Sequence, residues 1–338
     1  MKTQITALFI CLFAVAQAQT KYGVLVNGAL SLPDKIAVAK KLDVPIVRDA
    51  IIMQKWNGHD ESYSKFLEAG FTVIPNINWG VAQNREGGKT PVPYPTDTVV
   101  YKKILSNILQ TYHPPLIVIE NEELIKKYHS GPVRDYINQL SAAISVAHAN
   151  GVRVTNGGLT NKELCLLVYK DFLQRGMPAQ ANTFAGLCIK PAILKAVQHP
   201  GSNPEVDGLI ARADSLIKAY KILPLDYVNI HIYEPIKNSD GGTDESVVNI
   251  TPNAIAAIID FVKNATGKKI ISNESGTRSS SAALTKAMLN AFNTAGLEYC
   301  IWFSGDGEGG AKALQNTDAS LRANGEVFKQ FMAQQKQQ

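Results

Sequence analysis

The feature that most constrains this chain is an alternation that runs from one end to the other. Eight short runs rich in β-branched and aromatic residues recur: Tyr22–Asn27, Val44–Asp49, Phe71–Asn78, Leu116–Asn121, Arg153–Asn156, Tyr227–Tyr233, Lys269–Asn273 and Tyr299–Phe303. Each is bounded by turn-forming residues, as strands are. Runs such as Leu116–Glu120 and Tyr299–Phe303 are apolar almost without a break, the pattern of a strand covered on both faces and so of a parallel sheet. Between the runs lie helical periodicities, for example Val133, Ile137, Leu140, Ile144 and Ile255, Ile258, Ile259, Val262. Four helical segments end on glycine just before the next strand, at Gly70, Gly151, Gly267 and Gly296. Glycine accepts the left-handed backbone at a helix C-terminus, so one short turn is used four times.

Eight βα units suit a closed barrel or an open doubly wound sheet. The open sheet usually carries a glycine-rich phosphate turn after an early strand, and Asn27-Gly28-Ala29-Leu30 is not one. The expected fold is therefore an α/β (β/α)8 TIM barrel, a closed parallel eight-stranded sheet with outer helices, as a single domain over residues 19–333. The long stretch Asn161–Leu223 between the fifth and sixth strands is expected to hold extra helices, and the polar tail 334–338 to fray.

The ends and the charge bound the setting. Lys2, the apolar run Ile5–Val15 and Ala16-Gln17-Ala18 have the order of a cleavable secretory signal over residues 1–18, so a secreted or periplasmic protein is expected. That run is too short to span a bilayer, and no membrane partner is expected. Losing Lys2 lowers the formal charge from +5 to +4 with no long basic block, which argues against nucleic acid. Cys165, Cys188 and Cys300 would remain, an odd number best read as buried free thiols, with a Cys165–Cys188 bridge as the lesser alternative. No His or Cys cluster suggests zinc or iron and no calcium loop is present, so no cofactor is expected. The domain is expected to act as a monomer.

Active sites of βα barrels are built at the C-terminal ends of the strands. There this chain places Arg48 and Asp49 on the second strand, Asn76, Asn78 and Trp79 on the third, Glu120 to Glu123 on the fourth and Asn156 on the fifth. His231 and Tyr233 end the sixth, Glu274 the seventh and Trp302 the eighth. Cleaving a glycosidic bond needs one carboxyl to protonate the leaving oxygen and a second to attack or to activate water. Glu122 and Glu274, from well-separated strands, would face one another across the mouth. Trp302 or Trp79 offers a flat apolar face to a sugar ring, and Arg48, Asn121 and His231 can hydrogen-bond its hydroxyls. The partner expected is a carbohydrate substrate.

Arg48, Asn121-Glu122, His231-Ile232-Tyr233, Glu274-Ser275-Gly276 and Trp302, falling in order at the strand ends, resemble clan A of the glycoside hydrolases, the large group of retaining barrel enzymes. The resemblance spans almost the whole mature chain. It implies that Glu122 is the acid/base, with Asn121 contacting the sugar 2-hydroxyl. It further implies that Glu274 is the nucleophile, flanked by Tyr233 and Arg48, and that Trp302 forms the floor under the reacting sugar.

Two departures stand out. Glu123 replaces the proline that often follows the Asn-Glu pair, and alternation along a strand would put Glu120 and Glu122 on one side with Glu123 on the other. Asn78 and Trp79 have no clear counterpart and enter only as candidate substrate contacts. Alternative readings are a non-catalytic carbohydrate-binding barrel, which a missing carboxylate would mark, and a transglycosylase using the same two carboxylates. A lyase or aldolase would need a Schiff-base lysine, a metal or a phosphate site near the mouth, and none is evident in the sequence.

Overall fold

The computed structural model describes residues 19–85, 88–235, 245–305 and 312–337. The expected signal 1–18 lies outside the described residues, as do residues 236–244 and 306–311 after the strands that end at Tyr233 and Gly305.

Nine parallel strands form one sheet: β1 (Lys21–Asn27), β2 (Ile46–Ile52), β3 (Thr72–Asn78), β4 (Leu116–Ile119), β5 (Arg153–Asn156), β6 (Leu159–Thr160), β7 (Tyr227–Tyr233), β8 (Lys269–Gly276) and β9 (Tyr299–Gly305). Their spatial order is β6-β7-β8-β9-β1-β2-β3-β4-β5. The expected fifth strand, Arg153–Asn156, is β5; the short β6, which the sequence reading did not anticipate, follows it after Gly157-Gly158, and these two are the edges of the sheet. β4 ends at Ile119 rather than Asn121 because Glu120 takes a left-handed backbone.

Helices α1 (Leu32–Lys41), α2 (Glu61–Glu68), α3 (Thr98–Tyr112), α4 (Val133–Ala149), α5 (Asn161–Gln174), α6 (Pro178–Cys188), α7 (Pro191–Gln198), α8 (Pro204–Ile222), α9 (Glu245–Thr266), α10 (Ala282–Ala295) and α11 (Ala323–Gln335) alternate with the strands. Local chemistry sets their ends. Ser31, Asp60, Asp97, Asn203 and Ser281 each accept a hydrogen bond from the first-turn N–H groups of the helix that follows. At the other ends, Gly70, Gly151, Gly267 and Gly296 all have positive φ, from 66 to 92°, as the repeated turn predicts. The stretch from Asn161 to Leu223 forms the extra helices α5 to α8.

The polar tail begins later than expected: α11 runs to Gln335, which is buried and accepts a hydrogen bond at its carbonyl from the Gln19 side chain, 2.6 Å away. The three cysteines are free, Cys165 and Cys300 buried and Cys188 half-buried. Among the described residues no helix is long and apolar enough to cross a membrane.

Two apolar layers flank the sheet. One lies between strands and helices; the other, made of Ile46, Ile74, Leu116, Val118, Tyr227, Ile271, Tyr299 and Ile301, lies on the opposite face. At the N-terminal end of that face, Arg153 donates to the hydroxyls of Tyr227 and Tyr299 at 2.8 and 3.3 Å. Toward the C-terminal ends of the strands the same face turns polar, with Arg48, Asn76, Asn229 and Asn273 all buried. This apolar floor beneath a polar layer is what positions the site.

Candidate active site

A cleft of about 590 Å³ opens above the polar layer, lined by Arg48, Asn121, Glu122, Tyr233 and Glu274 among others. Its centre is Glu274. Between Ile271 and Glu274 strand β8 advances three residues while β7 advances two, from Asn229 to His231, so β8 carries a bulge. A bulge re-aims side chains, and here two consecutive residues, Asn273 and Glu274, both reach the polar layer. Arg48 donates to Glu274 Oε2 at 2.6 Å and the Tyr233 hydroxyl donates to Oε1 at 2.8 Å, so both carboxylate oxygens are held.

Arg48 has no acceptor atoms, and that sets the direction of the network around it. Its Nε donates to Asn76 Oδ1 at 2.9 Å, so the Asn76 amide nitrogen faces away and donates to the Glu120 carbonyl at 3.1 Å. Asn273 Nδ2 also donates to Asn76 Oδ1, at 2.7 Å, which leaves Asn273 Oδ1 to accept from Asn229 Nδ2 and from His231 Nε2. The His231 Nε2 proton is thereby fixed. Its Nδ1 faces the carboxylates, 3.3 Å from Glu122 Oε1 and 4.0 Å from Glu274 Oε2.

The charges follow from this geometry. Burial alone would raise the Glu274 pKa, but the His231 and Arg48 charges and the bonds from Arg48 and Tyr233 outweigh it and hold the carboxyl at about 2. Burial pulls the imidazole of His231 down, yet Glu274 and Glu122 lift it above the ordinary histidine value. One oxygen of Glu122, one of Glu274 and a ring nitrogen of His231 all lie within 4.8 Å of one another. Among the described residues these three form the group with metal-ligand chemistry. The donor set fits a cation poorly: Glu274 is already bonded to a guanidinium and a hydroxyl, and the Arg48 charge lies 2.6 Å away. The arrangement suits proton transfer and nucleophilic attack instead.

Of the residues singled out from the sequence, Arg48, Asn121, Glu122, His231, Tyr233 and Glu274 come together here. Asn121 accepts from Arg48 Nη2. Asn78 lines the cleft, its Oδ1 without a hydrogen-bond partner. Trp302 does not reach the cleft. It is fully buried on the helix side of β9, edge-on to Phe328 of α11 with ring centroids 5.8 Å apart. Alternation along β9 sends Cys300 and Trp302 outward, while Phe303 lines the cleft, 6.3 Å from the Tyr233 ring. Trp79 is likewise directed away, toward Tyr101 of α3 at 6.2 Å.

The three neighbouring glutamates diverge, and alternation fails for them. Glu122 enters the cleft. Glu120 is buried against Gln139 of α4 and the Trp79 N–H; burial pushes its carboxyl up to about 7 despite those two donors. Glu123 is buried on the far side, where it accepts from Asn156 and from the Tyr220 hydroxyl of α8, and burial raises it as well. Asn76, already among the strand-end polar residues, supports Arg48, while Asn273, Phe303, Tyr94 and His129 belong to the site or its support without having been singled out from the sequence. Phe303 was detectable in principle, from alternation on its strand; the others were not.

No family model matches the sequence, and no curated protein matches it. Solved structures match its fold. An endo-β-1,3-glucanase of glycoside hydrolase family 128, subgroup II, from Sorangium cellulosum superposes at TM-score 0.53 with 15% identity, covering 91% of this chain and 97% of that one. A family 30 subfamily 8 xylanase from Clostridium acetobutylicum gives 0.50 and 12%, covering 94% and 73%. The structure of ZgEngAGH5_4 in complex with a cellotriose gives 0.53 and 12%, covering 94% and 96%. All three have the clan A (β/α)8 fold, the class that the strand-end residues resemble.

Proposed function

We propose that this chain is a retaining glycoside hydrolase acting on a β-linked glycan, with Glu274 as nucleophile and Glu122 as acid/base. The observation that carries the reading is the spacing, an oxygen of Glu122 within 4.8 Å of an oxygen of Glu274. Carboxyl groups of retaining pairs lie about 5–5.5 Å apart, whereas inverting pairs leave about 6.5–9.5 Å for a water molecule.

In the first step the ionised Glu274 attacks the anomeric carbon while Glu122 delivers its proton to the leaving oxygen. A covalent glycosyl-enzyme forms on Glu274, and the aglycone leaves as an alcohol. In the second step Glu122, now a carboxylate, takes a proton from water, whose oxygen displaces Glu274 from the sugar. His231 serves both steps through Nδ1, accepting a hydrogen bond from the acid or donating one to the carboxylate, since its Nε2 proton is committed to Asn273. Asn121 contacts the sugar 2-hydroxyl in this reading, as the resemblance implies, and Phe303 takes the sugar-facing role that the resemblance gave to Trp302.

The same reading takes the sheet as a closed barrel. Its support is the bonding across the edge: Asn156 of β5 donates to the Asn229 carbonyl of β7 at 2.9 Å and accepts from the Asn229 N–H at 2.7 Å. It also takes residues 1–18 as an export signal, so that the secreted or periplasmic protein begins at Gln19, which N-terminal sequencing would read directly. The glucanase, the xylanase and the cellotriose complex named above make β-glucans and β-xylans the first substrates to try.

The decisive experiment exposes the protein to 2-deoxy-2-fluoro β-glycosides of glucose, xylose, cellobiose and laminaribiose, followed by peptide mass spectrometry. The expected result is one sugar covalently attached at Glu274, with no adduct in Glu274→Ala. An adduct on another residue, or hydrolysis surviving in both Glu122→Ala and Glu274→Ala, would overturn the assignment.

A further inference from the structure

The chain around Glu122 adopts a conformation that needs outside support. Beyond Ile119, both Glu120 and Glu122 have left-handed backbones, with φ of 64 and 49°. Residues with a β-carbon seldom adopt that region, and glutamate lacks the local hydrogen bonding that lets asparagine do so. Such conformations persist only where the surroundings over-determine them.

The surroundings here are two stacked rings. His129 Nε2 bonds to the carbonyl of Asn121 at 2.8 Å, and the Tyr94 hydroxyl donates to the carbonyl of Glu123 at 2.6 Å. These are the carbonyls of the two residues flanking Glu122 in the chain; the carbonyl of Glu122 itself accepts from the Ile125 N–H at 2.9 Å. The rings lie nearly parallel, 13° apart with centroids at 5.2 Å. A short parallel ladder, Val92–Pro93 with His129–Ser130, holds the two residues together and joins the segment after β3 to the segment after β4. A carbonyl can only accept, so His129 carries its proton on Nε2; burial keeps its pKa below the ordinary value and the ring neutral.

We infer that Tyr94 and His129 are positioning residues for the general acid: together they clamp the carbonyls on either side of Glu122 and hold its carboxyl against His231. The inference rests on Glu122 being the acid/base. Neither ring needs to touch the reacting atoms. Their effect reaches the reaction through the direction in which Glu122 leaves the backbone, and a displacement of about 1 Å at such a group can cost on the order of 100-fold in rate.

A loss of acid positioning has a signature that general damage lacks. Phenyl glycosides need their leaving oxygen protonated, whereas 2,4-dinitrophenyl glycosides depart without help. The variants are Tyr94→Phe and His129→Phe, which keep the stacked rings and remove one donor each, and His129→Gln, which restores an N–H near the position of Nε2. With phenyl and 2,4-dinitrophenyl β-cellobiosides and β-laminaribiosides, the two Phe variants should lose about 10- to 100-fold in kcat/KM on the phenyl substrates. They should stay within about 3-fold of the parent on the dinitrophenyl ones, and His129→Gln should recover most of the loss.

Glu122→Ala is the control. If it lacks the leaving-group signature, the assignment of the acid is wrong; if it has the signature and the Phe variants do not, the clamp is wrong. Equal losses on both substrates also refute the clamp. Should the parent protein turn over none of these glycosides, crystal structures of the two Phe variants still decide. The clamp predicts that Glu122 leaves the left-handed region and its contact with His231, and an unchanged Glu122 refutes it.

Discussion

Replacing Arg48 with methionine tests the electrostatics of the site without any substrate. In the native protein Glu274 is held at about 2 against an ordinary value of 4.5. A folded-state pKa below the unfolded one stabilises the fold at pH above the unfolded value, and that contribution is lost as pH falls toward the folded value. Two and a half pKa units correspond to about 3 kcal/mol at pH 7, of which about 1 kcal/mol remains at pH 3. In Arg48→Met the carboxylate loses its closest charge and a 2.6 Å bond, keeping only the His231 charge and the Tyr233 bond against burial, and its pKa rises. Breaking a buried pair by removing one partner costs about 3–5 kcal/mol. The variant's Glu274 becomes protonated on acidification, whereas the parent's stays largely ionised. The stability difference between the two proteins should therefore shrink by about 2 kcal/mol between pH 7 and pH 3. Urea unfolding followed by circular dichroism at the two pH values measures it. A difference that does not change with pH would refute the reasoning, because Arg48 would then contribute only through packing and through its bonds to Asn76 and Asn121, which do not titrate.

Glu120 should behave with the opposite sign. Its folded pKa, raised to about 7, makes its ionisation destabilising above pH 4.5, so Glu120→Gln should gain about 3 kcal/mol relative to the parent at pH 8 and nothing at pH 4; equal gains at both would show that its carboxyl is not titrating. Trp302→Ala should cost about 3–5 kcal/mol in unfolding free energy, whereas Phe303→Ala should mainly raise KM at nearly unchanged stability; the reverse pattern would return the sugar platform to Trp302. Alkylation of the unfolded protein without reductant should label Cys165, Cys188 and Cys300, and an unlabelled Cys165–Cys188 pair would show a bridge instead.

The sequence by itself determined the alternating α/β architecture with its parallel sheet, and it singled out Glu122 and Glu274, which meet in the cleft. Strand and helix periodicity and the four glycine turns are local properties, governed by residues a few positions apart, and they were legible for that reason. Glu122 and Glu274 were legible because the C-terminal ends of parallel strands converge whatever lies between them. Tertiary structure decided where side chains point once a strand stops being regular. Glu120, Glu122 and Glu123 diverge because left-handed backbone at two of them breaks the alternation, and the carbonyls of the residues flanking Glu122 are bonded by Tyr94 and His129 from separate segments. Asn273 joins Glu274 in the polar layer through a bulge visible only in the pairing of β8 with β7. Trp302, expected at the cleft, faces the helices and Phe303 lines the cleft instead, through parity: adjacent residues on a strand face opposite ways, and only the packing of β9 against α11 sets which one reaches the cleft.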